Sequence, residues 1–292
     1  MKEEIRDEEG GYMKLGLALA GGGVKGAAHI GVIKALEEND IQVDMIAGTS
    51  IGSIVAALYA MGYSTEKMLE LFKYFSKEIM KTNPKYMIDN IKNRKRLLGY
   101  GLLSGENIQI ALEECAKQKH ITHIKQVPMP LAIPSVDIIE SKKYVFTNGP
   151  LQEAYYIKDA LIAKAVRASS SYPLIFAPCE YLNHMFVDGG ILDNVPAGEV
   201  RKLGADKVLT IKFSASLNSV PKNLYEVAFK SVDILFDNRA HEAVQESDMV
   251  IDLDLEQASV FNIKKIDYCY NIGYITTLTK MKQIKEMLKR EE

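Results

Sequence analysis

Ser50 is framed by two glycines in the run Ile46 to Gly52, IAGTSIG, which follows a short apolar stretch and leads into SIVAALYAMG. Where a strand turns sharply into a helix, Gly48 and Gly52 would let the neighbouring backbone pack closely. The hydroxyl would then stand at the carboxyl end of a sheet, facing the positive end of the next helix. That is the setting of a nucleophile; the bland alternative is a small residue capping a helix. A second glycine run, GGGVKG from Gly21 to Gly26, also lies between a strand and a helix. It has two chemical readings. As G-x-G-x-x-G it resembles a dinucleotide fingerprint, with Asp44 near the ~20-residue separation expected of a ribose ligand. As consecutive backbone N–H groups at a helix start, it is an oxyanion hole. Against the nucleotide reading, Asp44 precedes the end of its strand, and that strand runs straight into Ser50. A third stretch, VDGGILDNVP, sets Asp188 at a strand end before Gly189 and Gly190. The spacing suits either a carboxylate held at a site or a solvated residue in a tight turn. No histidine has a comparable setting: His29 falls on the first helix, His184 in a turn and His241 in a helical stretch.

The elements that must position these groups can be traced by hydrophobic period. KLGLALA (14–20), VDMIAG (43–48), PLAIPSVDII (130–139), KKYVFTNG (142–149), EYLNHMFVDGG (180–190), KVLTIKF (207–213) and DMVIDLDL (248–255) read as strands. Helices are expected over 27–39, 53–62 with a stop at Gly62, 154–168, 197–203, 225–244 and 276–290. Strands alternating with helices imply a mostly parallel sheet covered on both faces. Residues 73–96 break the rhythm, with eight Lys and Arg against Glu78 and Asp89 among aromatic and aliphatic positions. They read either as a solvated helical insertion or as a surface for anionic lipid headgroups.

The 292 residues, 47% hydrophobic and 25% charged, suit a large folded core. A net charge of -2 gives no global pull toward nucleic acid. Cys115, Cys179 and Cys269 are odd in number and far apart, which favours reduced thiols and a cytoplasmic setting over a disulfide framework. The acidic stretch before Met13 and the early Lys25 argue against reading LGLALAGGG as a signal peptide. No stretch reaches the roughly 18 apolar residues of a membrane span, so membrane contact is expected to be peripheral. His120 and His123 have metal-like spacing without an evident third ligand. Asp252 and Asp254 are explained more simply by a polar strand end, so no metal is expected. Phe146, Tyr155 and Tyr156 read as core or pocket wall. Arg167, in RASSSYPLIFAP, reads as packing beside the serine turn, with a headgroup contact as the alternative.

GGGVKG, GTSIG and VDGG in this order, with AVRASSSYPLIFAP before the last, resemble the patatin-like phospholipases, in particular the compact bacterial members. The likeness runs from about Leu15 to Lys212. The resemblance implies a three-layer α/β/α sandwich with Ser50 as nucleophile and Asp188 as its base without histidine. It further implies an oxyanion hole at Gly21, Gly22, Gly23, Lys25 and Gly26, supported by Gly48, Gly52, Gly189 and Gly190. Lys25 stands where many members have arginine, which keeps the charge but loses the planar fork. The expected activity is hydrolysis of phospholipid or other acyl-lipid esters, without cofactor or metal, by a cytoplasmic protein with peripheral contact at the inner membrane surface. A catalytic domain over 14–213, with a basic insertion at about 73–103, is expected to carry a packed extension over 214–292. The alternatives are a soluble acyl esterase or thioesterase, and a non-catalytic nucleotide-binding regulatory protein.

Overall fold

Leu15–Leu19 form β1, a strand without a charge whose five residues are all buried. Strand alternation divides them: Leu15, Leu17 and Leu19 join the larger of two apolar clusters, and Ala18 joins the smaller on the opposite face. This computed structural model describes residues 13–79, 101–151, 153–214, 220–255, 258 and 262–289. The remaining strands are β2 (Met45–Gly48), β3 (Leu131–Asp137), β4 (Lys142–Thr147), β5 (Tyr156–Ile157), β6 (Cys179–Tyr181), β7 (His184–Asp188), β8 (Lys207–Phe213) and β9 (Met249–Leu253). They run in the order β5-β4-β3-β2-β1-β8-β9, with β7 also paired to β3 and β6 to β7. From β3 through β2, β1 and β8 to β9 every neighbour is parallel. The pairs β3–β4, β3–β7 and β6–β7 are antiparallel.

The larger cluster is covered by α1 (Ala27–Glu37), α2 (Ile51–Ala60), α3 (Thr65–Ile79), α4 (Glu106–Gln118), α5 (Ile162–Ser169) and α9 (Ile266–Thr279). On the other face α7 (Ala197–Lys202) sets Ala197 and Val200 against Ala18, Met45 and Val208. The chain therefore has the layered architecture expected from its alternating pattern. Helix α1 is apolar nearly all round because it lies between the sheet and α9, so its outer side is buried too. Helix α2 stops where expected: Gly62, at φ 78, adopts the left-handed backbone that a C-terminal cap requires.

Three expected elements take a different form. EYLNHMFVDGG is a hairpin, β6 and β7, because Leu182 and Asn183 take positive φ (52 and 64) and reverse the chain. The helix expected over 154–168 begins at Ile162, since β5 pairs with β4 before it. The closing helix is two: α9 and α10 (Met281–Met287), separated at Lys280. Of the basic stretch, Lys73 on α3 pairs with Asp267 and Tyr74 is exposed, while residues 80–96 lie outside the described residues. The three cysteines are free and buried. Among the described residues no helix is long and apolar enough to cross a membrane.

Candidate active site

The carboxyl ends of β1 and β2 bring the two glycine runs together. Thr49 donates its N–H to the carbonyl of Leu19 (3.1 Å), and Ser50 follows at φ 54, ψ -124. A non-glycine residue held there costs on the order of 1–3 kcal/mol, which the surrounding structure must supply. The flanking glycines make the turn feasible: a Cβ on Gly48 would stand 2.2 Å from the carbonyl oxygen of Gly52, and one on Gly52 2.5 Å from that of Leu19. The turn is further held by serines. Ser50 donates its N–H to Ser169 Oγ (3.0 Å), and its carbonyl accepts from Ser53 Oγ (2.6 Å) and Ser170 Oγ (3.2 Å).

Asp188 ends β7, fully buried, where it pairs in register with Ser135 of β3. Ser50 Oγ donates to its Oδ2 at 2.6 Å, and Gly190 N–H donates to its Oδ1 at 2.9 Å. Burial raises the carboxyl from 3.8 to about 7, and the bonds from Ser50 and Gly190 only partly oppose this. Gly189 is required by close approach, since its Cβ would meet the carbonyl oxygen of Pro134 at 2.4 Å. Gly190 opens α6 (Gly190–Asp193), a single turn, with the ring of Phe236 against it.

The residues of the first glycine run are placed unequally. The N–H of Gly21 is already committed to Asn194, whose carbonyl and Oδ1 both lie at 3.2 Å. Its amide is thus turned toward Asn194 rather than left unpartnered. Gly22 and Gly23 precede and open a short 3-10 turn, where first-turn amides have no intrahelical partner. Gly26 provides clearance, because a Cβ there would meet Ile51 at 2.5 Å. Lys25 is buried, and its charge opposes the rise that burial imposes on Asp233 and Cys269. His29 supports the run from beneath, with Nε2 at 2.9 Å from the carbonyl of Ala20. Burial lowers its imidazole to about 4, so it is neutral there and unsuited to be the base.

Other expectations are revised by placement. Asp44 accepts the N–H of Leu15 at the amino end of β1, the opposite end from the glycine run, so the nucleotide reading loses its ribose ligand. Arg167 is buried and donates to Ser171 Oγ and to the carbonyls of Ser104 (2.5 Å) and Ala177 (2.6 Å). It organises the serine run from inside, and its fork is committed to the protein. Among the described residues the group with metal-like proximity is Asp137, Glu140 and His184, without His120 or His123. There His184 Nδ1 and Asp137 Oδ2 are already hydrogen-bonded at 2.5 Å.

Sequence reasoning missed the groups that join the two halves of the site. Asn194 holds Gly21, and the carbonyl of Asp193 accepts from Thr49 Oγ1 at 2.8 Å. Lys143 on β4 donates to Asp193 Oδ2 (2.8 Å) and Glu199 Oε1 (2.7 Å), and Tyr156 donates to Glu199 Oε2 (2.7 Å). Burial works against the charge on Lys143, but the two carboxylates outweigh it and hold the ammonium above its ordinary value. A lysine one place before the fully buried half of a strand, and an asparagine just after the DGG turn, were the available signals.

Beside the serine, Ile51, Ile54, Leu58, Phe72, Phe75 and Leu112 line an apolar cavity of about 20 Å³ between α2, α3 and α4. That volume is no more than about the size of one water molecule, so an acyl chain entering there would have to part these side chains.

Solved structures share the architecture. VipD from Legionella pneumophila superposes with a TM-score of 0.51 at 13% identity, over 97% of this chain and 71% of that one. Human GIVD cytosolic phospholipase A2 does so with 0.53 at 11% identity, over 94% and 59%. At such identities the likeness concerns the fold. An uncharacterized NTE family protein of Mycobacterium bovis is 30% identical over 203 residues, 70% of this chain and 50% of that protein. Lysophospholipase NTE1 of Meyerozyma guilliermondii is 29% identical over 214 residues, 72% and 13%. The chain thus spans half or less of the length of these relatives. The profile of patatin-like phospholipases matches residues 17–201, which takes in both glycine runs, Ser50 and Asp188, and by that match the chain belongs to the patatin-like phospholipase family.

Proposed function

We propose that this protein hydrolyses fatty-acyl esters of lipids through an acyl-enzyme formed on Ser50. The single observation that carries the reading is the 2.6 Å hydrogen bond from Ser50 Oγ to Asp188 Oδ2 at a left-handed turn between a strand and a helix. In the first step Asp188 accepts the hydroxyl proton as Ser50 Oγ bonds to the ester carbonyl carbon, whose oxygen takes up the electron pair. The amides of Gly22 and Gly23 are the donors suited to that oxyanion. Its collapse expels the alcohol, which leaves with the proton from Asp188. Water then attacks the acyl-enzyme, its proton passing to Asp188, and the fatty acid departs as Ser50 regains its hydrogen.

A free aspartate is a weak base at neutral pH, so its burial matters. Raising the carboxyl to about 7 brings it close to the pH at which it must both take and return a proton. The lipid class of the substrate is supported by family membership and by the names of relatives such as Lysophospholipase NTE1. Purified protein assayed on p-nitrophenyl esters and on mixed phospholipids tests the reading. Ser50→Ala and Asp188→Asn are each expected to lower kcat/KM by at least about 10³-fold. Full activity in Ser50→Ala would remove the nucleophile assignment. Turnover of soluble esters and thioesters without any phospholipid cleavage would favour the soluble esterase instead.

The basic stretch 73–96 is proposed as a contact for anionic membrane. It is expected to strengthen sedimentation with anionic over neutral vesicles, an effect that weakens as salt rises. Equal sedimentation with both vesicle types would rule this out.

A further inference from the structure

A long helix, α8 (Leu224–Ala243), bridges the walls of the site. Its positions 229, 233 and 236 share one face. Phe236 lies against Gly190, next to Asp188, and both Phe236 and Phe229 lie against Tyr172, with ring centroids 5.4 and 6.3 Å apart. Tyr172 itself continues the serine run that holds Ser50, and its hydroxyl donates to Asp233 Oδ1 at 2.8 Å. Asp233 is also within the electrostatic reach of Lys25 from the glycine run. That face of α8 thus packs on the turn after Asp188 and on the segment that continues the serine run.

The opposite face is apolar and turned to solvent. Leu224, Val227, Ile234 and Leu235 recur at helical spacing and are 80%, 46%, 53% and 37% exposed. Ser231, between them, spends its hydroxyl on the carbonyl of Val227 (2.9 Å), inside the helix. The charged Glu226, Lys230 and Asp237 fall on a flank. Beside the helix, Leu174 is held exposed at φ 72, a backbone that leucine seldom adopts, and its carbonyl accepts the N–H of Leu102, itself 56% exposed. Surface helices ordinarily turn polar residues outward; a contiguous apolar surface marks a contact.

We propose that the outer face of α8, together with Leu174 and Leu102, docks on a lipid bilayer and sets the entrance to Ser50 against the membrane. The proposal rests on the reading of this site as a lipid acyl hydrolase. Ser50 is only 8% exposed and Asp188 is fully buried, and α8 packs through Phe236 on Gly190, two residues after Asp188, so docking of this helix would bring a bilayer-held ester to the site. Between Leu224 and Leu235 this face carries no charged residue, and Glu226, Lys230 and Asp237 lie along one side only, whereas a protein partner would call for polar groups all round the apolar centre. A bilayer interface asks only for apolar depth from a helix lying in its plane. The helix is not apolar enough to span.

The chain contains no tryptophan, so Val227→Trp introduces a single emitter on this face. In a Ser50→Ala background, neutral phosphatidylcholine vesicles are expected to shift its emission to the blue and to allow quenching by brominated acyl chains. Neutral lipid keeps the basic stretch 73–96 from contributing. In the active protein, Leu224→Glu combined with Val227→Glu is expected to lower vesicle hydrolysis by about tenfold or more, since lost burial of even one such side chain exceeds the ~1.4 kcal/mol of a tenfold change. Hydrolysis of a soluble p-nitrophenyl ester is expected to stay within about twofold of the parent. Unchanged emission with vesicles overturns the proposal, as does unimpaired vesicle hydrolysis by the double-glutamate protein. If that protein loses both activities, the emission of the Val227→Trp protein decides alone. A blue shift that grows with protein concentration and needs no lipid assigns the face to a second copy of the chain, and overturns the proposal too. Absence of ester hydrolysis by the parent would defeat the catalytic reading while leaving the fluorescence measurement valid.

Discussion

At the scale of residues, the site is governed by one buried carboxyl. Asp188 is raised from 3.8 to about 7 by burial, and it serves as a base only when ionised. On the proposed mechanism kcat/KM for a soluble ester should therefore rise with pH and level off above a midpoint near 7. A pH profile with its midpoint near 4 would mean that the base is a solvated group elsewhere. The same burial has a thermodynamic consequence of opposite direction. Between about 3.8 and about 7 the folded state retains a proton that the unfolded chain has released, so the contribution of Asp188 to stability falls as pH rises through that window. On the proposed mechanism the protein would thus gain a competent base over the range in which this group costs it stability.

At the scale of elements, the turns around Ser50 and Asp188 are fitted to one another by backbone contact and by a buried charge network. Gly52→Ala would drive a Cβ to within 2.5 Å of the Leu19 carbonyl oxygen and 2.8 Å of that of Ala20. Both are backbone atoms at the end of β1 and cannot yield as a flexible side chain would. A loss of about 1–3 kcal/mol is expected in denaturant unfolding, with activity falling further because the two glycine runs must separate. Lys143→Met would leave the partly buried Asp193 without its hydrogen-bonded cation and the buried Glu199 with Lys202 alone, 3.5 Å away, a change expected to cost on the order of 1–3 kcal/mol. Thermal unfolding should show it, and Lys143→Arg should recover part of the loss by keeping the charge. Asp193 also anchors Thr49 through its carbonyl, so the methionine variant should lower kcat in whatever fraction remains folded.

For the whole molecule, the question is whether the C-terminal segment is part of the same cooperative unit. Helices α1 and α9 cross closely enough that a Cβ on Gly31 would lie 2.1 Å from the carbonyl oxygen of Tyr270, and one on Gly273 2.1 Å from that of Ala28. Their contact covers the outer side of α1, the helix that follows the first glycine run. We propose that 214–292 folds as one unit with 14–213. Gly273→Ala is then expected to lower Tm in a single transition that also carries away esterase activity. Two separate transitions, with activity surviving the first, would show the extension to be independent.

The motifs were readable because each depends on local backbone chemistry. Gly48 and Gly52 frame Ser50 and Gly189 follows Asp188 since a side chain at those places strikes neighbouring backbone, and such constraints leave a mark within a few residues. Alternating apolar runs likewise announced a layered sheet, since burial on both faces removes polar residues from strands such as β1. What the sequence by itself determined was therefore the kind of fold and the three segments able to do chemistry. Only the tertiary structure decided how they share the work. Gly21 turns out to be tied to Asn194, 173 positions away, and Lys143 closes on carboxylates 50 and 56 positions away. Partners so distant in the chain obey no period and no local rule. They meet because the sheet order sets β4 beside β3 while α7 packs on β1 and β2, and burial then makes each unpaired charge or amide too costly to leave unmatched.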